Sequence, residues 1–141
     1  MKHWKDQSAG YLVNHVARLF ARGLTEAVRP FGLTTGTFPA LLELWQQDGL
    51  TQKQLVERLD IEQATMANTL ARMERDGLIT RQRAEADRRM QHIFLTERAR
   101  RLQAPAIEAA TAVNASLLAG LGPDDRHQFI RLMQKIISGQ Q

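Results

Sequence analysis

Between residues 78 and 96 this chain abandons the helical rhythm that governs the rest of it. Leu78-Ile79-Thr80-Arg81-Gln82-Arg83 and Gln91-His92-Ile93-Phe94-Leu95-Thr96 are short runs with strand character. They flank the polar and charged Ala84-Glu85-Ala86-Asp87-Arg88-Arg89-Met90, so the segment reads as a two-stranded hairpin with a long basic tip. Apolar residues elsewhere recur at three and four positions. The fold class is therefore mainly α with a small β-hairpin.

The helices can be placed from their punctuation. Residues 8–29 carry Leu12, Val16, Leu19, Phe20, Leu24 and Val28 at helical spacing, and Pro30 and Gly32 end the run. Thr34 or Thr35 opens a second helix to about Gln47, with Phe38, Leu41, Leu42 and Trp45 on one side and Asp48-Gly49 closing it. Thr51 followed three residues later by Gln54 fits a capping box, which satisfies backbone donors that a helix start otherwise leaves orphaned. That short third helix breaks at Asp60-Ile61. A fourth runs from about Glu62 to Asp76 and is closed by Gly77. After the hairpin, residues 97–121 and 124–138 return to helix, separated by Gly120, Gly122 and Pro123.

Two short helices joined by a tight break and followed by a basic hairpin give the order of a winged helix-turn-helix. At 100° per residue, Met66, Leu70 and Met73 of the fourth helix fall within about 60° of one another and form its inward stripe. The other side collects Ala64, Thr65, Asn68, Ala71, Arg72 and Arg75. Small side chains let such a helix approach a major groove closely, Asn suits adenine edges, and Arg suits guanine edges or phosphates. A solvated amphipathic face has the same pattern, and the hairpin decides between the two. Arg81, Arg83, Arg88 and Arg89 crowd one ribbon, where like charges repel unless an anion compensates them. An arginine at its tip reaches the negative potential of a minor groove.

The charge balance agrees. Residues 51–101 hold eleven Lys or Arg against eight Asp or Glu, which is most of the net +4 of the 141-residue chain. The length suits one domain. There is no cysteine, which excludes disulfides, cysteine-bound zinc and a thiol switch within these residues. No run approaches the roughly 20 apolar residues of a membrane span. Met1-Lys2-His3-Trp4-Lys5-Asp6 lacks the apolar core of a secretory leader, so a cytoplasmic location is expected. His3, His15, His92 and His127 are scattered without metal-pair spacing, and there is no Gly-rich phosphate loop or Gly-x-Ser-x-Gly. Neither an enzyme nor a metal or other cofactor is expected.

The runs Leu55–Leu59, Asp60-Ile61-Glu62-Gln63-Ala64-Thr65 and Leu70-Ala71-Arg72-Met73-Glu74-Arg75-Asp76-Gly77-Leu78-Ile79 resemble the recognition unit of the MarR family. Asp87-Arg88-Arg89 followed by Leu95-Thr96-Glu97 is similar to that family's wing signature. The Ile-Glu-Gln opening and the intact Asp-Arg-Arg resemble its SlyA-like branch most. The resemblance implies one domain over 1–141, with a winged lobe at about 34–97 and dimerisation helices at about 8–30 and 98–139. It implies a homodimeric repressor on a palindromic operator in double-stranded DNA. Carried over by position, Gln63, Thr65, Asn68, Thr69 and Arg72 contact DNA, with Arg75 and Arg88 nearby, while Arg89 enters the minor groove held by Asp87. Asn68 stands where many members carry arginine, and Asp60 replaces a common glycine.

The same resemblance implies a small aromatic acid or phenolic effector, bound in a crevice lined by the first, second and fifth helices. His15, Arg18, Phe38 and Trp45 are the candidates, since an aromatic acid needs an apolar slot and a cation. His15 and Trp45 are also plausible as structural residues. The rival reading is a winged-helix module that binds protein rather than DNA. Such a module would carry apolar residues at Thr65, Asn68 and Arg72.

Overall fold

The computed structural model describes residues 3–83, 86 and 90–141. Its order is α1 (Ala9–Val28), α2 (Phe38–Gln46), β1 (Leu50–Thr51), α3 (Gln52–Leu59), α4 (Gln63–Arg75), β2 (Ile79–Arg83), β3 (Gln91–Leu95), α5 (Glu97–Leu117) and α6 (Pro123–Ser138). Single 3-10 turns precede and follow α1. The fold is mainly α with a small antiparallel sheet, as the periodicity predicts.

Local chemistry sets most of the boundaries. Ser8 caps α1 by accepting from the Tyr11 amide at 3.2 Å. At α3 the Thr51 hydroxyl accepts from the Gln54 amide at 3.1 Å, and the Gln54 side chain accepts from the Thr51 amide at 2.9 Å, completing the capping box. The turn from α3 to α4 needs a left-handed residue, and Asp60 supplies it at φ 51°. The second helix begins later than its threonines suggest. Thr34–Thr37 form a turn of their own, with the Thr37 amide donating to the Thr34 carbonyl at 3.2 Å, and α2 starts at Phe38.

The hairpin has a third strand. β3 lies between β2 and β1, with Leu50 opposite Ile93 and Thr51 opposite His92. Gly49 reaches β3 first, donating its amide to the Ile93 carbonyl at 3.0 Å in a left-handed conformation, φ +78°. A Cβ at this position would lie 3.0 Å from the Phe94 ring. One residue earlier, the Asp48 carboxylate accepts from the Leu95 amide at 2.9 Å and so continues the ladder with a side chain.

The core sits under this sheet. Leu41, Leu44, Leu50, Leu55, Met66, Leu70, Met73, Leu78, Ile79 and Ile93 are all fully buried there. Burial of that many large apolar side chains, at roughly 1.5–3 kcal/mol each, is what holds α2–α4 and the sheet in one orientation. The outer helices differ. α1 contributes only Val28 to the fully buried set and α6 contributes nothing. Ile130, Leu132, Ile136 and Ile137 of α6 lie exposed, as do Tyr11, Leu12 and Val13 of α1.

Candidate nucleic-acid interface

The α4 helix is fixed from behind and at its end. Met66, Leu70 and Met73 anchor it in the core. Its C-terminus closes with the Gly77 amide on the Glu74 carbonyl at 3.1 Å and the Leu78 amide on the Met73 carbonyl at 2.9 Å. This is the Schellman arrangement, with Gly77 left-handed at φ +74° and both Met73 and Leu78 buried in the core. Arg98, at the start of α5, donates to the Asp76 carbonyl and fastens that end a second time. A helix held this way presents its outer side without further ordering cost, which favours recognition.

That outer side is polar and open. Gln63, Ala64, Thr65, Asn68, Ala71, Arg72 and Arg75 are exposed. Thr65, Asn68, Ala71 and Arg72 line one shallow depression along it. Arg72 makes no ion pair among the described residues, so its guanidinium is available to an incoming anion. Arg75 leans on Asp76, its Nε 3.2 Å from the carboxylate, and both side chains are largely solvated. A pair that exposed contributes little.

Thr69 is a correction. It is only 5% exposed and lies on the inner side of α4, so its side chain belongs to the packing. The helical arithmetic that defines the stripe puts Thr69 about 60° from Met66, next to the core, and that signal was present in the spacing.

The base of the wing adjoins α4. Gln63, the first residue of α4, lines the same depression as Thr51, Gln52, Lys53, Met90 and Gln91. The strand β2 is tied to α4 by Arg81, whose Nε lies 3.7 Å from the Glu74 carboxylate and is buried without a hydrogen bond. The tip residues Asp87, Arg88 and Arg89 lie outside the described residues.

A further concavity of about 600 Å³ opens between α1, α2 and α5, lined by Phe20, Leu24, Phe38, Leu42, Thr111 and Asn114 among others. The crevice has the three expected walls, but of the four expected ligand contacts only Phe38 is among its lining residues. His15 and Arg18 sit exposed on α1 outside it. Trp45 is half-buried, set edge-on to Phe38 with ring centres 5.9 Å apart, and its Nε1 donates to the Ala99 carbonyl at 2.9 Å. It joins α2 to α5 rather than facing the space. Which of these side chains line a crevice depends on the angle between packed helices, and periodicity does not encode that angle. Sequence reasoning also missed Asp48 as a structural residue. Its two acceptor contacts, to Leu95 and to its neighbour Gly49, carry no pattern beyond that of an ordinary turn. Among the described residues no group of three His, Asp or Glu could hold a metal ion, and no helix is long and apolar enough to cross a membrane.

A helix pair joined by a tight turn, the second helix with its polar side outward, and a β-ribbon beside it define a winged helix-turn-helix protein. The MarR family model matches residues 33–90, the segment that holds the helix-turn-helix and the first strand of the wing. Over that segment the chain is similar to the MarR family of transcriptional regulators. It is 28% identical over 131 residues to an HTH-type transcriptional repressor of Mycobacterium tuberculosis, covering 93% of this chain and 94% of that one. The structure of that MarR family protein in complex with salicylic acid superposes with a TM-score of 0.72, over 92% of this chain and 96% of that one. The organic hydroperoxide resistance transcriptional regulator of Bacillus subtilis is 37% identical over 92 residues, 62% of this chain and 63% of the relative. A MarR transcriptional regulator from Methanosarcina mazei matches at 25% identity with a TM-score of 0.85, covering 92% and 94%.

Proposed function

We propose that the chain is a homodimeric transcriptional repressor that reads a palindromic operator and releases it when a small aromatic or phenolic ligand binds. The observation that carries this reading is the open side of α4, where Thr65, Asn68 and Arg72 stand outward on a helix immobilised by its opposite face. Gln63, Thr65, Asn68 and Arg72 are assigned to base edges and Arg75 to phosphate. From the resemblance, Arg88 and Arg89 extend the contact from the wing, with Arg89 in the minor groove beside Asp87.

In this reading residues 34–97 form the reading lobe, and 8–30 with 98–139 form the dimer helices of one domain. The exposed apolar residues of α6 support it, with Ile136 at 65% and Ile137 at 62% exposure. Patches of that kind mark surfaces that another protein covers. A second copy on a twofold axis would bury them and set the two α4 helices about one DNA turn apart. The cavity between α1, α2 and α5 is the assigned effector site, and the mycobacterial relative, solved in complex with salicylic acid, supports a small aromatic ligand. With no cysteine in these 141 residues, a thiol signal is not open to the chain. The protein acts by binding, without catalysis, in the cytoplasm where bacterial-type promoters are found.

The test is mobility shift and footprinting on the region upstream of its own gene, at two salt concentrations, with and without a panel of aromatic ligands. Two protected half-sites and a steep loss of affinity with salt are expected. No shift at low salt would refute the reading and favour a protein-binding module on the same scaffold.

A further inference from the structure

An arginine stands in β2 where the alternation of the strand calls for an apolar residue. Ile79 is buried while Thr80 and Gln82 are exposed, so Arg81 shares the inward face of the sheet with Ile79. It lies opposite the fully buried Ile93 of β3. Its side chain is only 22% exposed, and its Nε is buried with no hydrogen bond among the described residues. The compensating charge comes from α4, where the Glu74 carboxylate lies 3.7 Å from that nitrogen. Taking a cation out of water costs free energy that so loose a pair repays only in part, and replacing such a pair by apolar residues is commonly neutral or stabilising. Stability therefore does not account for Arg81. A directional contact between ribbon and helix does.

Glu74 and Gln63 fall about 20° apart around α4, so they lie on one line along the helix, about 120° or more from Thr65, Asn68 and Arg72. Gln63 adjoins Met90 and Gln91 where β3 begins, and Glu74 meets Arg81 in β2. The ribbon is thus seated on α4 at both ends of that line, and two seats fix the angle at which it leaves the helix. We propose that Glu74 and Arg81 are a positioning pair for DNA binding, which sets the angle between the wing and α4 without touching the duplex. The proposal rests on the reading above, with α4 in the major groove and the wing in the minor groove. It divides the arginines of the ribbon by role. Arg81 turns its charge inward to Glu74, whereas Arg83 is exposed. The pair also neutralises an acidic side chain on a helix that must approach phosphates.

The full chain is footprinted on duplex DNA from the region upstream of its own gene with two probes. Dimethyl sulfate reports guanine N7 in the major groove, and hydroxyl radical reports the sugars along the minor groove. Arg81→Met and Glu74→Gln are each expected to lower affinity about tenfold, to keep the guanine protection, and to lose or displace the sugar protection. Arg81→Met is expected to melt no lower than wild type, which separates positioning from stability. Exchanging the charges, Glu74→Arg with Arg81→Glu, is expected to restore the wild-type footprint, and it serves as the test if a single variant fails to fold. An arginine that met phosphate would behave otherwise: Arg81→Met would reduce the salt slope by about one, and Glu74→Gln, by releasing Arg81, would tighten binding. Either result overturns the proposal, as does a wild-type footprint from both single variants. If the wild-type protein protects no minor-groove sugars, the wing reading itself falls and the proposal with it.

Discussion

Replacing Asp48 by alanine tests whether one side chain holds the wing against the rest of the lobe. The carboxylate accepts from the Leu95 amide at 2.9 Å and the Gly49 amide at 3.0 Å, and lies 3.5 Å from the Arg100 guanidinium. These three contacts are unequal. The Arg100 pair is about half solvated and contributes well under 1 kcal/mol. The Gly49 bond is local and can be taken over by water. Leu95 is buried, and its amide would be orphaned where β1 no longer reaches it, a loss of roughly 1.5–3 kcal/mol for a bond to a charged acceptor. Asp48→Ala is therefore expected to lower unfolding free energy by about 2–3 kcal/mol. Asp48→Asn keeps an oxygen for the same amide, and is expected to cost about 1 kcal/mol or less. Urea denaturation of the three proteins at one fixed concentration, with equal m-values, gives the comparison. If the alanine variant falls within 0.5 kcal/mol of wild type, or the asparagine variant loses as much as the alanine one, the carboxylate does not complete the ladder and the argument fails.

Arg72→Ala is expected to weaken operator binding by about 1–3 kcal/mol with the melting temperature unchanged. Mobility shifts on operator variants separate a base contact, which relaxes sequence preference, from a phosphate contact, which preserves it. Leu70→Ala, at a fully buried position on the inner stripe, is expected to cost about 3–5 kcal/mol by equilibrium unfolding, a cavity penalty that no surface loss would match. Ile136→Glu with Ile137→Glu is expected to yield monomers in sedimentation velocity while far-UV circular dichroism stays unchanged. Intact dimers in that variant would place the interface elsewhere.

Much of this architecture is legible in the sequence. Thr51 and Gln54 announced a capping box, Met66, Leu70 and Met73 the inner stripe of α4, and Gly77 its end, because each is a local rule written within four residues. What escaped was set by distant partners. Leu50 and Thr51 are too short a run to read as a strand, and become one only because Ile93 and His92, more than forty residues away, lie beside them. Thr34 and Thr35 are good capping residues, but their own turn postponed α2 to Phe38. The open residues of α4 follow from residue type and angle together, whereas Thr69 rests on the family resemblance alone and lies inside. A cavity does open between the first, second and fifth helices, and of the four expected contacts only Phe38 lines it, since helix identity follows from sequence and interaxial rotation does not.

Thr51 belongs at once to the sheet, opposite His92, and to α3, whose first turn it caps. A residue shared in this way leaves no joint between the ribbon and the helix pair: pivoting one against the other would tear the cap from the helix. Under the proposed effector reading, a signal arriving at the crevice would swing the whole lobe as a rigid paddle. In a twofold assembly the regulated quantity becomes the gap between paddles. Operators with a longer or shorter spacer would then escape inducer control, while altered half-sites would change affinity and leave the response to inducer intact.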